Sequence, residues 1–508
     1  MVNAQRICST RKTTSRLELE QNIVPVLSLL KAHYEPGKTR PFFCVTKFKK
    51  YVTIPFMKIK LALLITAAFA TVLSFSSCNK KAKKVNQTIS EQNSIGAMFM
   101  EKQKNQETNK QDKPSEPSTN GLGISDSKYQ EIIGKSFVTQ GNNYLVKQVL
   151  AKMRAGEEVI IAAIGGSVTE GAGASIYTQG YAYQFKDMFI EKYAAKKDKV
   201  KFVPAGIGGT PSAMGVIRYQ KDVVNAAGRN PDLLIIEFAV NDWLECTNTR
   251  GMEYLVRNAL EHNTAVIMLY AAATYQNQQG QIKPIADFYN LPQVSISDGL
   301  LNSGINQEKD SKVYYSDYVH PTRAGHTYMA KCLMNIMEEI DASPSDNKYQ
   351  LPVGYKNENA FKKFAAVYAD TQDKNVSISA GAFTQKDDAI QGYSHGGKCF
   401  PENWSRSVNG PSTGSGTGDN SPFTLTLTCK SLIMIYKNAN NESFGKADVF
   451  VDGKLFKTYA GHEEGGWNNC MVVMIIDETA PASHTIEIKM AQGDEDKAFT
   501  ILDFGYAL

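Results

Sequence analysis

Four short segments hold the residue types that could do chemistry. They are Gly165-Gly166-Ser167-Val168-Thr169-Glu170-Gly171, Pro204-Ala205-Gly206-Ile207-Gly208-Gly209-Thr210, Ala239-Val240-Asn241-Asp242 and Asp317-Tyr318-Val319-His320-Pro321-Thr322. Serine, histidine and carboxylate are the residue types of nucleophilic catalysis, in which a neighbouring base makes a weak hydroxyl reactive. Glycines let the chain turn sharply and bring backbone N–H groups close to a ligand. Taken singly, each residue also has a plainer use. Ser167 is a natural helix N-cap after a glycine turn, and Asn241 and Asp242 are turn formers. Asp317 could cap the turn leading into the next helix, and His326 reads as structural.

The elements that must position these segments are legible on either side of them. Val159–Ile164, Val200–Val203, Leu233–Phe238, Ala265–Tyr270 and Val294–Ile296 are apolar runs of strand length. Tyr181–Lys196, Ala213–Ala227 and Arg323–Ile340 have helical spacing. Continuous apolar strands alternating with helices predict a parallel sheet covered on both faces. Ligands of such sheets sit outside the carboxyl ends of the strands, where the first three segments stand.

The four segments, in this order, resemble the four conserved blocks of the SGNH/GDSL hydrolase family over residues 125–345. The resemblance implies a flavodoxin-like three-layer α/β/α domain with a parallel sheet. It implies Ser167 as nucleophile and His320 as general base, with Asp317 orienting the imidazole. The Ser167 and Gly209 N–H groups and the Asn241 amide would form the oxyanion hole. Such chemistry needs no metal and no organic cofactor. Block one reads Gly-Gly-Ser-Val where the family has Gly-Asp-Ser-Leu, so Gly166 replaces the usual aspartate. That bears on subfamily and local hydrogen bonding rather than on the catalytic set.

From residue 350 the pattern changes to short alternating runs between Gly, Asn, Asp and Ser clusters. Phe423–Leu427, Leu432–Tyr436, Ala447–Val451, Cys470–Ile476, His484–Met490 and Phe499–Phe504 predict an all-β, jelly-roll-like sandwich over 350–508. Asp452-Gly453 marks a hairpin, and Asn409–Ser421 a long loop. A sandwich beside an SGNH domain resembles the build of carbohydrate esterases. It could bind glycan, or it could complete the active-site wall. Trp467 and Trp404 are candidates to stack on a sugar, or to pack in the sandwich core. Trp243, next to Asn241-Asp242, is placed to line the acyl or sugar pocket.

The formal net charge of +5 is misleading. Residues 1–56 hold ten Lys/Arg against three Asp/Glu, and Lys58 and Lys60 follow. The remainder is mildly acidic, which removes the compositional case for nucleic-acid binding. Met57-Lys-Ile-Lys, the apolar run Leu61–Phe75 and Ser76-Ser77-Cys78 read as a secretory signal peptide, residues 57–78. The ending resembles a bacterial lipobox, implying lipidation at Cys78 and a membrane anchor there. Residues 1–56 then read as a mis-called extension ahead of Met57. The polar stretch 79–124 reads as a disordered tether. Cys246, Cys332, Cys399, Cys429 and Cys470 show neither a disulfide framework nor metal-ligand spacing, though one C-terminal pair could bridge.

The expectation is a serine esterase of the bacterial cell envelope, lipid-anchored and facing the periplasm or held in the outer membrane. Its substrate would be O-acetyl groups on carbohydrate. The alternatives are an envelope lipase or thioesterase, and a non-catalytic glycan-binding lipoprotein.

Overall fold

The computed structural model describes residues 120–274, 277–301, 303–305, 312–370, 373–407 and 419–508. The proposed extension, signal peptide with Cys78, most of the tether and most of the Asn409–Ser421 loop lie outside them.

Six strands form the first sheet: β1 (Phe137–Thr139), β2 (Val159–Gly165), β3 (Val200–Gly206), β4 (Leu233–Glu237), β5 (Ala265–Tyr270) and β6 (Gln293–Ser295). Their order is β1-β6-β5-β4-β2-β3. All neighbours are parallel except the short edge strand β1, which is antiparallel to β6. Leaving β1 aside, the order is that of a flavodoxin-like sheet, and the strand sequence reverses direction at β2. The crossover from β2 runs to β3 on one side, and β4 continues on the other. The crevice opened by that reversal lies at the carboxyl ends of β2 and β4.

Both faces of the sheet are covered, which is why its strands are apolar throughout. Along β2, Val159, Ile161 and Ala163 join a core with the helices Tyr144–Ala155, Tyr181–Tyr193 and Arg323–Ala342. Ile160, Ala162 and Ile164 join the opposite core with Arg250–Glu261 and Gln279–Phe288. The expected Ala213–Ala227 helix is interrupted: an α-helix, Ser212–Tyr219, passes into a π-helical turn, Gln220–Asn225. Such insertions occur often at functional sites.

The second part is antiparallel: β7 (Phe364–Val367), β8 (Val376–Ser379), β9 (Trp404–Arg406), β10 (Phe423–Ala439), β11 (Lys446–Val451), β12 (Lys454–Ala460), β13 (Trp467–Met490) and β14 (Phe499–Ala507). The separate short strands expected at 423–427 and 432–436 are one 17-residue strand, and those at 470–476 and 484–490 one 24-residue strand. The pairing of β10 with β13 slips at Cys429/Ser431 and again at Leu432/Ile433. Bulges bend a strand without ending its hydrogen bonding, so sequence punctuation that looked like a turn is a bend. The bend folds the sheet over on itself. Phe504 pairs with Met434, eleven residues along β10 from Phe423, which is roughly 36 Å in a straight strand. Yet the Phe423 and Phe504 rings stack at 5.7 Å. The enclosed face forms the sandwich core. Asp452 and Gly453 both have positive φ (51° and 75°) and join β11 to β12 as the hairpin expected there.

The outer face of β10 and β14 packs on the α/β part. Ile433, Ile435 and Leu502 share one core with Ile207, Met214 and Ile217. Gly505 allows the approach, since a Cβ there would lie 2.7 Å from Ile217 Cγ1. Arg250 adds a two-pronged ion pair to Asp477, at 2.6 and 2.8 Å. All five described cysteines are free thiols.

Candidate active site

The first strand delivers Ser167. β2 ends at Gly165, Gly166 is extended, and the helical turn Ser167–Glu170 begins at once. The two glycines are required by crowding. A Cβ at Gly165 would meet Thr169 Oγ1 at 2.1 Å, and one at Gly166 would meet Asn241 Oδ1 at 2.0 Å. In this chain Asn241 occupies the space a side chain at 166 would need.

His320 arrives on a tight loop. Tyr315 bridges Pro321, and Ser316 N–H donates to the His320 carbonyl at 2.9 Å. The cap of the following helix is Thr322, whose hydroxyl accepts from Gly325 N–H at 3.1 Å. Asp317 is thereby released from capping. Its Oδ1 accepts the N–H groups of Val319 and His320, both at 2.9 Å, and its Oδ2 meets His320 Nδ1 at 2.7 Å. His320 Nε2 meets Ser167 Oγ at 2.8 Å across 153 residues of sequence. Burial alone would raise the Asp317 carboxyl, but its hydrogen bond to His320 and the two backbone N–H groups hold it down to about 2. It is a carboxylate throughout the neutral range. A hydroxyl, an imidazole and a carboxylate in one hydrogen-bonded line can pass a proton from oxygen to nitrogen.

Asn241, buried at the end of β4, packs its amide against Gly166, the residue before Ser167. Gly209, with φ +71°, belongs to the loop after β3. Among the described residues neither the Gly209 N–H nor the Asn241 side-chain amide donates to a protein acceptor. The next residue, Asp242, is more than a turn former. It is fully buried and accepts Ser212 N–H at 2.7 Å and Ser212 Oγ–H at 2.9 Å, tying the second loop to the third. Burial pushes its carboxyl up, and the Ser212 hydrogen bonds oppose the push.

Of the tryptophans, Trp467 reaches the loop after β3 that carries Gly208 and Gly209. Its ring lies 3.5 Å from where a Cβ on Gly209 would be and 3.6 Å from one on Gly208. Trp243 sits half-buried on the 3-10 turn Asp242–Leu244, its indole N–H buried without an acceptor among the described residues. Trp404 packs in the sandwich core against Phe423 and Phe504. His326 is buried and neutral: Nδ1 accepts from Tyr181 N–H, Nε2–H donates to Ala172 O, and burial lowers its pKa to about 4.

Sequence reasoning missed several supports. Arg218, fully buried, donates to Gly165 O at 2.8 Å and Ala205 O at 2.7 Å, holding the ends of β2 and β3. Glu237 ends β4 beneath the site and accepts from Thr169 Oγ1 at 3.0 Å; burial raises its pKa to about 7. Glu170 accepts from Ser394 N–H of the β domain and from Gly208 N–H. A charge inside an otherwise apolar run, as in Ala213–Tyr219 or Leu233–Phe238, was the available signal for Arg218 and Glu237.

Residues 163–328 match the GDSL-like lipase/acylhydrolase family. Comparison with curated proteins finds no match. Among solved structures, a two-domain esterase (CEX) active on acetylated mannans is similar over 74% of this chain and 98% of its own, at 23% identity and TM-score 0.60. The same esterase co-crystallised with mannopentaose matches over the same shares at TM-score 0.59. At that identity the likeness speaks for the shared two-domain fold. Residues 163–328 thus form a GDSL-like lipase/acylhydrolase domain, and the chain that carries it is a carboxylic ester hydrolase.

Proposed function

We propose that this enzyme removes O-acetyl groups from carbohydrate, with Ser167 as nucleophile and His320 as general base. The observation that carries the mechanism is the Ser167–His320–Asp317 line at 2.8 and 2.7 Å. Ser167 Oγ attacks the acetyl carbonyl while His320 Nε2 takes its proton. The oxyanion is met by the N–H groups of Ser167 and Gly209 and by the Asn241 amide. Collapse expels the sugar alkoxide, which takes the proton from His320. Water, deprotonated by His320, then cleaves the acetyl-serine and releases acetate.

The acetylated-glycan reading draws support from the fold shared with an esterase active on acetylated mannans. It draws more from Trp467. One edge of the indole lies beside Gly208 and Gly209, and the residue also lines a cleft of about 230 Å³ with Lys437, Asn440, Asn441, Phe444 and Asn468. An aromatic face among amides suits a sugar, which offers C–H groups and hydroxyls together. Acetate release from acetylated oligosaccharides, followed by mass spectrometry, tests the reading. Wild type releases acetate and Ser167→Ala does not; a fully active Ser167→Ala refutes the mechanism. Faster cleavage of C8–C16 esters than of acetyl esters identifies a lipase or thioesterase instead. Glycan binding with no fluorophosphonate labelling identifies a silent binding protein.

The same proposal places the enzyme at the bacterial envelope, held by lipid on Cys78, with Met57–Cys78 as its lipoprotein signal and 79–124 as tether. Metabolic palmitate labelling that disappears in Cys78→Ala is the expected result.

A further inference from the structure

Resting on the serine mechanism proposed above, we infer that Gln391, supplied by the β domain, is a positioning residue that aims the Gly209 N–H at the oxyanion. Gln391 is 4% exposed and held at every polar group. Its backbone N–H donates to Asn468 O at 2.9 Å, and its carbonyl accepts Cys399 N–H at 3.1 Å. Its side-chain Oε1 accepts Cys470 N–H at 3.3 Å, and its Nε2 donates to Gly208 O at 2.6 Å. The Cys470 N–H can only donate, so Oε1 must face it, and the amide nitrogen is left facing the Gly208 carbonyl.

That carbonyl and the Gly209 N–H belong to one peptide unit. In a trans peptide the C=O and N–H point in opposite directions, and no described peptide bond is cis. Drawing the oxygen towards Gln391 therefore turns the Gly209 N–H away from the β domain. Two glycines flank this peptide, so no Cβ restrains its rotation. Glu170 holds the Gly208 N–H, but that group belongs to the preceding peptide. Gln391 is thus the hydrogen bond that gives the 208–209 peptide its direction. The β domain contributes to the oxyanion hole as well as to the wall beside it.

The test uses the full chain. Gln391→Met keeps the length and removes both polar atoms. Gln391→Glu keeps the acceptor for Cys470 and, once ionised, sets a second oxygen against Gly208 O; burial raises such a carboxyl, so this variant is read on the alkaline side, where it carries its charge. Two readouts are compared on p-nitrophenyl acetate and a fluorophosphonate: kcat with KM, and the rate of Ser167 phosphonylation, whose phosphoryl oxygen enters the same hole. In both variants kcat and the labelling rate fall about 10–100-fold together, with KM within about twofold, the signature of lost transition-state stabilisation. A purely structural role would move KM and thermal stability instead. Variants within threefold of wild-type kcat, while Asn241→Ala is impaired and Ser167→Ala silent, overturn the inference and leave the mechanism standing. An active Ser167→Ala overturns the mechanism itself. If Gln391→Met does not fold, the isosteric Gln391→Glu decides alone.

Discussion

The sharpest perturbation is a single methyl group at Gly166. A Cβ there would sit 2.0 Å from Asn241 Oδ1 and 2.8 Å from its Cγ. Non-bonded carbon and oxygen settle near 3.5 Å, so the amide must retreat by more than about 1 Å. The backbone cannot yield instead, because Gly165 is locked against Thr169 and the Glu237 carbonyl, at 2.1 and 2.3 Å from its own would-be Cβ. A misplacement of about 1 Å can cost about 100-fold in rate, and outright loss of one oxyanion donor about 100- to 1,000-fold. Gly166→Ala should therefore lower kcat on p-nitrophenyl acetate by about 100-fold, or about 2.7 kcal/mol of transition-state stabilisation. KM should change little, because the proposed oxyanion hole would bind the transition state rather than the ester. The decisive assay is a double-mutant cycle. Asn241→Ala removes the donor and also vacates the space, so adding Gly166→Ala should cost nothing further. Gly166→Asp should behave like Gly166→Ala although aspartate is the usual residue of the family. Activity of Gly166→Ala within threefold of wild type would refute the reasoning, as would fully additive losses in the cycle.

Three further outcomes follow from the same geometry. Asp317→Asn should lower kcat on the order of 1,000-fold or more, since an amide cannot stabilise the imidazolium. The Asp317 carboxyl titrates at about 2, so any acid limb of the wild-type rate between pH 4 and 7 is not Asp317 losing its charge; unchanged kcat in Asp317→Asn would contradict its role. Glu237 is buried with a pKa raised from 4.5 to about 7. A raised folded-state pKa means stability that is present below about pH 4.5 and lost as pH rises through about 7. Glu237→Gln should recover about 3 kcal/mol at pH 8 and little at pH 4.5, read from urea midpoints; an equal difference at both pH values would count against it. Trp467→Ala should raise KM for acetylated oligosaccharides about tenfold and leave p-nitrophenyl acetate nearly unchanged; equal effects on both substrates would remove Trp467 from sugar recognition.

Much of this protein could be read in one dimension because buried parallel strands must be apolar end to end. Val159–Ile164, Leu233–Phe238 and Ala265–Tyr270 lie within one residue of the strands found. A glycine, an asparagine or a serine immediately after such a run is at a strand's carboxyl end, and the position of the first three site segments follows. Local patterning could not show that β10 and β13 run through their apparent breaks, because a bulge and a turn use the same residues. Nor could it show partners distant in sequence. Arg218 looks like one charge on a helix until Gly165 and Ala205 are seen to offer it their carbonyls. Gln391 looks like any polar residue of a loop until Gly208, 183 residues away, is found at 2.6 Å.

The chain's own order of residue types determined which chemistry was available: a hydroxyl, an imidazole, a carboxylate and a set of N–H donors, each tied to the end of an element whose periodicity is local. Tertiary structure decided where those groups point and what holds them. It set the 2.8 Å meeting of Ser167 with His320, the exclusion of any side chain at 166 by Asn241, and the seat of Trp467 beside Gly209. The reason is physical. Periodicity reflects which face of an element is buried, a property of neighbours in the chain. Direction and distance between side chains depend on how separate elements pack, and here the deciding contacts span from about 75 to more than 250 residues.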